Sequence, residues 1–261
     1  MKIQFYIVTY KNHLGLKECL ESLAKTAIPE GIFLMINIIN NHSDFILPDE
    51  FANVRVLHNT LRPNWSSGHL ARSWNQALLH GFGNLKHPAN NIVAMCQVDT
   101  IFDGSWLERL VELHKTYNFV TAGHGDAFMS FAAEGVRKIG LFDERFCNIV
   151  HQETDYFTRA LIFNRDCSSI NDFHHGKILN PFLAENNDNS FVYRKNSNTT
   201  VTWTATTECH EYITKFLMSK YSRNPMLWDT NNAPHLIKKL ILLYPYFEFD
   251  VTDFASKYDI Y

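Results

Sequence analysis

The chain has 261 residues, 46% of them apolar, and a formal net charge of −3. That length suits one domain, or one domain with an appendage, and the charge excludes the basic surface that a nucleic-acid partner demands. No apolar run approaches the roughly 20 residues of a membrane-spanning helix. The first residues read as a strand and lack a small-residue cleavage region, which argues against a secretory leader. Five scattered cysteines, none in a Cys-x-x-Cys pair, read as reduced thiols in the cytoplasm.

Residues 3–10 are strongly β-prone, and Leu16, Cys19, Leu20 and Leu23 then follow helical spacing. Apolar strands are predicted at 33–39 and 54–57. Leu70, Trp74, Ala77 and Leu78 form the next helical stripe. A strand at 92–98 precedes a helix carrying Leu107, Leu110, Val111 and His114, and another strand follows at 119–122. Continuous apolar strands alternating with amphipathic helices predict an α/β fold: a mostly parallel central sheet flanked by helices. Ligands in such sheets bind beyond the carboxyl ends of the strands. The polar residues expected there are Thr9 and Tyr10, Asn40 and Asn41, and Gln97 and Asp99. Beyond about residue 164 the pattern weakens. Residues 184–207 are polar and read as a loop or an excursion over the site. Tyr212, Ile213, Phe216, Leu217 and Tyr221 give a further helix, and Pro234 opens a last one with Leu236, Leu240 and Ile241.

The most informative stretch is Gly140-Leu141-Phe142-Asp143-Glu144-Arg145-Phe146, followed by His151-Gln152-Glu153-Thr154-Asp155 and Arg159. A turn of this type delivers acids to the mouth of a helix, where an acid can act as a base. The stretch resembles the late motif of family-2-like glycosyltransferases, in their rhamnosyltransferase-like subgroup. Four further pieces follow in that family's order: Ile7 to Asn12, Ile38 to Ser43, Gly68 to Leu78, and Gln97 to Thr100 with Gly104 to Leu107. Together they cover about residues 1–176. The resemblance implies a GT-A (Rossmann-like) core over 1–176, with an acceptor-side loop and C-terminal helices over 177–261. It also implies an inverting, metal-assisted hexosyl- or pentosyltransferase. Its donor would be a nucleoside-diphosphate sugar, and its acceptor a hydroxyl of a glycan, a lipid-linked or a protein-linked molecule.

Each position carries a chemical requirement. The departing diphosphate needs a cation or fixed positive groups. Mn²⁺ and Mg²⁺ prefer oxygen ligands, and Asp99 at a strand end is suited to hold one. Gln97 replaces the first acid of the family's Asp-x-Asp, and a helix-capping Asp99 is the bland alternative. The resemblance adds His174 or His175 as a metal or diphosphate ligand, the register favouring His174; two ordinary loop histidines are the alternative. Thr9, Tyr10, Asn40 and Asn41 mark the donor-nucleotide side, where Asn40 retains an acceptor but not the family's charge. Arg72 is placed to pair with diphosphate. An attacking hydroxyl must lose a proton, and a carboxylate is the usual base. Alignment on Arg159 makes Glu153 that base and Asp155 its supporting acid; otherwise both acids only favour the helix N-terminus electrostatically. Asp143 and Glu144 shape the turn or hold acceptor hydroxyls. Trp65 and Trp203 lie in polar loops and are candidates for stacking on a sugar.

Residues 234–247 combine Lys238 and Lys239 with apolar residues. Such a helix rests on an anionic membrane peripherally, on the domain itself, or on a second copy of the chain in a homodimer. A dehydrogenase is disfavoured because no Gly-x-Gly-x-x-Gly follows the first strand. Gln97, Asn40 and Gln152 each neutralise a usual acid, so the competing reading is a catalytically weakened nucleotide- or glycan-binding protein on the same fold.

Overall fold

The computed structural model describes residues 1–59, 70–122, 127–146, 151–164, 192–194 and 207–221. In chain order the elements are β1 (Lys2–Thr9), α1 (His13–Ala24), β2 (Phe33–Asn40), β3 (Arg55–His58) and α2 (Leu70–Phe82). Then come β4 (Ile92–Gln97), β5 (Thr100–Phe102), α3 (Trp106–Leu113), β6 (Phe119–Ala122), β7 (Phe128–Ala132) and α4 (Ala133–Ile139). The last are α5 (His151–Asn164), β8 (Val192–Arg194) and α6 (Thr207–Tyr221).

Six strands form one sheet in the order β3-β2-β1-β4-β7-β6. The β1–β2, β1–β4 and β2–β3 pairings are parallel, whereas β7 runs antiparallel between β4 and β6. This is the Rossmann-like GT-A arrangement expected from the sequence, with one antiparallel strand, β7, next to one edge. The strand order reverses about β1, so the crevice beyond the carboxyl ends of β1 and β4 is the topological switch point.

Both faces are buried, which is why the strands read as continuous apolar runs rather than alternating ones. Phe5, Ile7, Ala94 and Cys96 face α1 and α3, packing with Leu16, Leu20, Trp106 and Leu107. Tyr6, Val8, Val93 and Met95 face the other layer with Trp74, Phe82, Tyr156, Ile213 and Leu217, so α2, α5 and α6 share one core. Gly81 is required where α2 meets the sheet: a Cβ there would lie 2.5 Å from a Val93 methyl.

Two expectations change. The 119–122 strand is joined by β7, which the sequence reading did not separate from its surroundings. Part of the polar stretch at 184–207 is a strand, since β8 pairs antiparallel with β5 directly after Asp99. The remainder of that stretch, the expected strand at 169–173 and the expected last helix lie outside the described residues.

Candidate active site

The strand-end edge at which the sequence reading expects a donor is built by register. Thr9 stands opposite Asn40, and Asn40 opposite His58, so three strand ends are level. Thr9, Asn40 and Asn41 are buried. The Asn41 amide donates to Ser73 Oγ of α2 at 3.1 Å, and its carbonyl accepts from Asn59 Nδ2 at 3.1 Å. Asn59 Nδ2 also donates to Gln76 Oε1 at 2.8 Å. Asn41 is therefore a joint between β2, the end of β3 and α2. Asn40 is engaged too: its amide donates to His42 O at 2.6 Å and its carbonyl accepts His42 N–H at 3.1 Å. Arg72 is exposed in the first turn of α2.

At the end of β4, Gln97 and Asp99 are partly buried in the tight turn that leads to β5. The residue that caps α3 is Ser105, six residues beyond Asp99, and Asp103 shapes the turn that leads into it. Asp103 Oδ1 accepts from Ser105 N–H at 2.8 Å and from Ser105 Oγ at 2.9 Å. Among the described residues no cluster of three or more His, Cys, Asp or Glu is gathered for a metal. A single strand-end carboxylate still suits Mg²⁺ or Mn²⁺, which take one or two carboxylates and complete their shell with substrate phosphates and water. His174, His175, Trp65 and Trp203 lie outside the described residues, while Trp74 and Trp106 are fully buried in the core.

The acidic turn is held from three sides. Gly140 ends α4 at φ +94° and ψ −174°, a backbone conformation essentially reserved for glycine. Arg159 of α5 then donates to Ile139 O at 2.6 Å and Leu141 O at 2.8 Å, while its Nε meets Asp155 Oδ2 at 3.0 Å. Phe142 stacks on Tyr156 at 4.0 Å, and the Tyr156 hydroxyl donates to Gly140 O at 3.1 Å. From α2, Asn75 grips the backbone of Phe142: Nδ2 donates to its carbonyl at 2.9 Å and Oδ1 accepts its N–H at 2.8 Å. The same Nδ2 donates to Glu144 Oε1 at 2.9 Å, which leaves Glu144 exposed but oriented.

Four acids of the motif thus have distinct surroundings. Asp155 is 0% exposed; its Oδ1 accepts from the Tyr221 hydroxyl at 2.7 Å and from Lys220 Nζ at 2.6 Å. Asp143 accepts from Lys220 at 2.9 Å and from the Arg145 guanidinium at 2.7 Å. Burial pushes the Asp143 carboxyl up, but the hydrogen bonds from Arg145 and Lys220 win and hold it well below the usual carboxylate range. Glu153, in the first turn of α5, is partly exposed. Two residues apart on a helix, Glu153 and Asp155 point to nearly opposite sides, so they do not form a pair. Between the motif acids and α6, Lys220 is the shared cation, a role that sequence reasoning missed.

Ser73 and Asn75 were also missed as functional positions. They are two residues apart on α2; one holds the end of β2 through Asn41 and the other holds the acidic turn through Phe142. The Ala71-Arg72-Ser73-Trp74-Asn75 stretch was the available signal, since polar residues interrupting a buried stripe need partners. Gln152 is another: it is 1% exposed, and neither amide atom has a hydrogen-bond partner among the described residues.

No family model and no curated protein matches the sequence. Solved structures do match the fold. Residues 1–349 of S. aureus TarS, in complex with UDP-GlcNAc, superpose with a TM-score of 0.56 at 11% identity, covering 89% of this chain and 73% of that one. The mannosyltransferase PcManGT from Pyrobaculum calidifontis, in complex with GDP-Man and Mn²⁺, gives 0.51 at 12% identity over 94% and 71%.

Proposed function

We propose that the chain is a glycosyltransferase. It moves a hexosyl or pentosyl unit from a nucleoside-diphosphate sugar to a hydroxyl of a glycan, lipid-linked or protein-linked acceptor, inverting the anomeric centre. The observation that carries this reading is the α2 bridge: Ser73 and Asn75 fix the strand-end donor edge and the acidic turn to one short rigid segment. A transferase needs such a fixed relation between the two reactants. TarS and PcManGT, which share the fold, are seen with UDP-GlcNAc and with GDP-Man and Mn²⁺.

In this reading Thr9, Tyr10, Asn41, Arg72 and Gln97 line the donor side. Glu153 takes the proton of the acceptor hydroxyl as its oxygen attacks the anomeric carbon. The bond from that carbon to the diphosphate oxygen breaks, and its electron pair leaves with the diphosphate. One displacement from the opposite face inverts the centre. A divalent cation, when bound, neutralises charge on the leaving diphosphate; Asp99 and His174 would hold it. Asp155 supports from inside by fixing Arg159, which in turn fixes the acidic turn. Glu144, Asp143 and Trp203 belong to the acceptor side. In this reading residues 234–247 would rest on an anionic membrane, where a lipid-linked acceptor would lie, with packing on the domain or on a second copy as the alternative; no described helix is long and apolar enough to cross a membrane.

The test is a donor panel of UDP-, GDP-, CDP- and dTDP-sugars with purified protein, scoring nucleotide release with and without Mn²⁺. Release from one nucleotide class supports the reading. A folded protein that binds and consumes none of them contradicts it.

A further inference from the structure

Beyond the end of β2, the Asn40 side chain closes on His42 from both sides. It accepts His42 N–H at 3.1 Å and donates to His42 O at 2.6 Å, with the same Nδ2 lying 3.1 Å from His58 Nδ1. The backbone that carries the His42 ring is therefore fixed. The ring is fixed as well. Asp44 N–H donates to His42 Nδ1 at 3.0 Å. A backbone N–H cannot accept, so Nδ1 presents its lone pair and the neutral ring carries its proton on Nε2. That Nε2 has no hydrogen-bond partner among the described residues. The Tyr10 ring meets the His42 ring edge to face at 5.4 Å and 78°, and Lys11 Nζ lies 5.6 Å from the Tyr10 centroid. Lys11 itself holds φ +55°, a left-handed conformation that L-residues seldom adopt, and here it re-aims the chain directly after Tyr10. The result is a preset aromatic pair with one directed N–H donor, at the level of the donor-side strand ends.

We propose that His42 is the residue that reads the donor's nucleobase. Its Nε2–H donates to a ring carbonyl, Tyr10 supplies an aromatic surface for the base, and Asn40 is a positioning residue that does not itself meet the base. This rests on the donor-binding reading above. The chemical class it selects is an oxo-base nucleoside diphosphate; adenine has no carbonyl and leaves the donor unmet, a loss worth about tenfold or more in affinity.

The test is calorimetric titration of UDP, GDP and ADP, with Mn²⁺ present, into the full chain and its variants. Wild type is expected to bind UDP or GDP at least about tenfold tighter than ADP. His42→Ala is expected to bring that ratio near one, and His42→Gln, which restores an N–H at similar reach, to recover part of it. Asn40→Ala is expected to lower the ratio as His42→Ala does, and the double variant to lower it no further. The ratio of two nucleotides on one variant does not depend on the folded fraction, so a merely structural role would leave it unmoved. A wild-type preference that persists in His42→Ala overturns the assignment while leaving donor binding standing. Absence of binding by all three diphosphates to wild type overturns the donor reading and this assignment together.

Discussion

Glu153 and Asp155 sit two residues apart on α5 and live in opposite worlds. Asp155 is fully buried, and Arg159, Lys220 and Tyr221 all donate to it. Its burial is compensated only while those partners remain. Asp155→Asn leaves the buried Arg159 facing a neutral amide and is expected to destabilise by about 3–5 kcal/mol, read as a lower urea midpoint. Glu153→Gln, on the partly exposed side, is expected to leave that midpoint within about 0.5 kcal/mol of wild type. Equal loss in both variants would contradict the division of labour between them. A similar contrast separates two aspartates near β4. Asp103→Asn keeps an oxygen that accepts from Ser105 and is expected to change stability by less than about 0.5 kcal/mol with donor affinity unchanged. Asp99→Asn is expected to spare stability and to weaken Mn²⁺-supported donor binding at least about tenfold, the loss expected for a charged contact. The Asp155–Arg159 pair was legible from i,i+4 spacing. Lys220 was not, because it lies 65 residues further along the chain than Asp155.

At the scale of elements, α2 is the connector. Its buried stripe of Trp74, Ala77 and Leu78 was readable from helical spacing, and the structure places it on β1 and β4. The polar residues within that stripe were not interpretable alone, since the partners of Asn75 are 67 and 69 residues away. Asn75→Ala removes both grips on Phe142 and frees Glu144. Leaving Phe142 N–H and C=O unmet costs about 1–3 kcal/mol. The sharper expectation is kinetic: kcat falls while donor affinity, measured by titration, stays within twofold, because Ser73 still holds Asn41. Loss of donor affinity with kcat retained would show that α2 does not divide its work this way. The strand β7 escaped the sequence because Ala132 passes straight into Ala133 of α4 with no turn residue between them. Buried on both faces, it also shows no alternation to separate it from the helix that follows.

For the whole molecule, two buried or ion-paired groups among the described residues contribute separable responses to acid. Burial lowers His114 to about 4, and its Nε2 lies 2.8 Å from Ser130 Oγ. A folded-state value below the unfolded one means that the unfolded chain binds more protons between them. The contribution of neutral His114 is complete above about pH 6.5 and is lost as pH falls towards 4. Asp143 is depressed further, so its contribution is present above the ordinary carboxylate value, about 4, and disappears below it as α6 loses the Lys220 tie. Stability followed by urea unfolding should therefore fall in two successive windows. His114→Gln should flatten the first, and Lys220→Met the second; a profile unchanged in both would contradict these assignments. The α/β architecture was visible in the continuous apolar strands, and the order of the motifs pointed to the carboxyl edge of the sheet. The long-range hydrogen bonds that join donor edge to acidic turn were not, because no local pattern encodes which distant backbone a buried amide will meet.

The central claim is that Glu153 is the base of a sugar transfer whose donor is held elsewhere. Single-turnover transfer by wild type and Glu153→Gln, with donor affinity measured in parallel, tests it most directly. The rate is expected to fall about 10²-fold or more with donor affinity essentially unchanged. Full transfer by Glu153→Gln, with Asp155→Asn inactive though folded, would contradict it and move the base to Asp155.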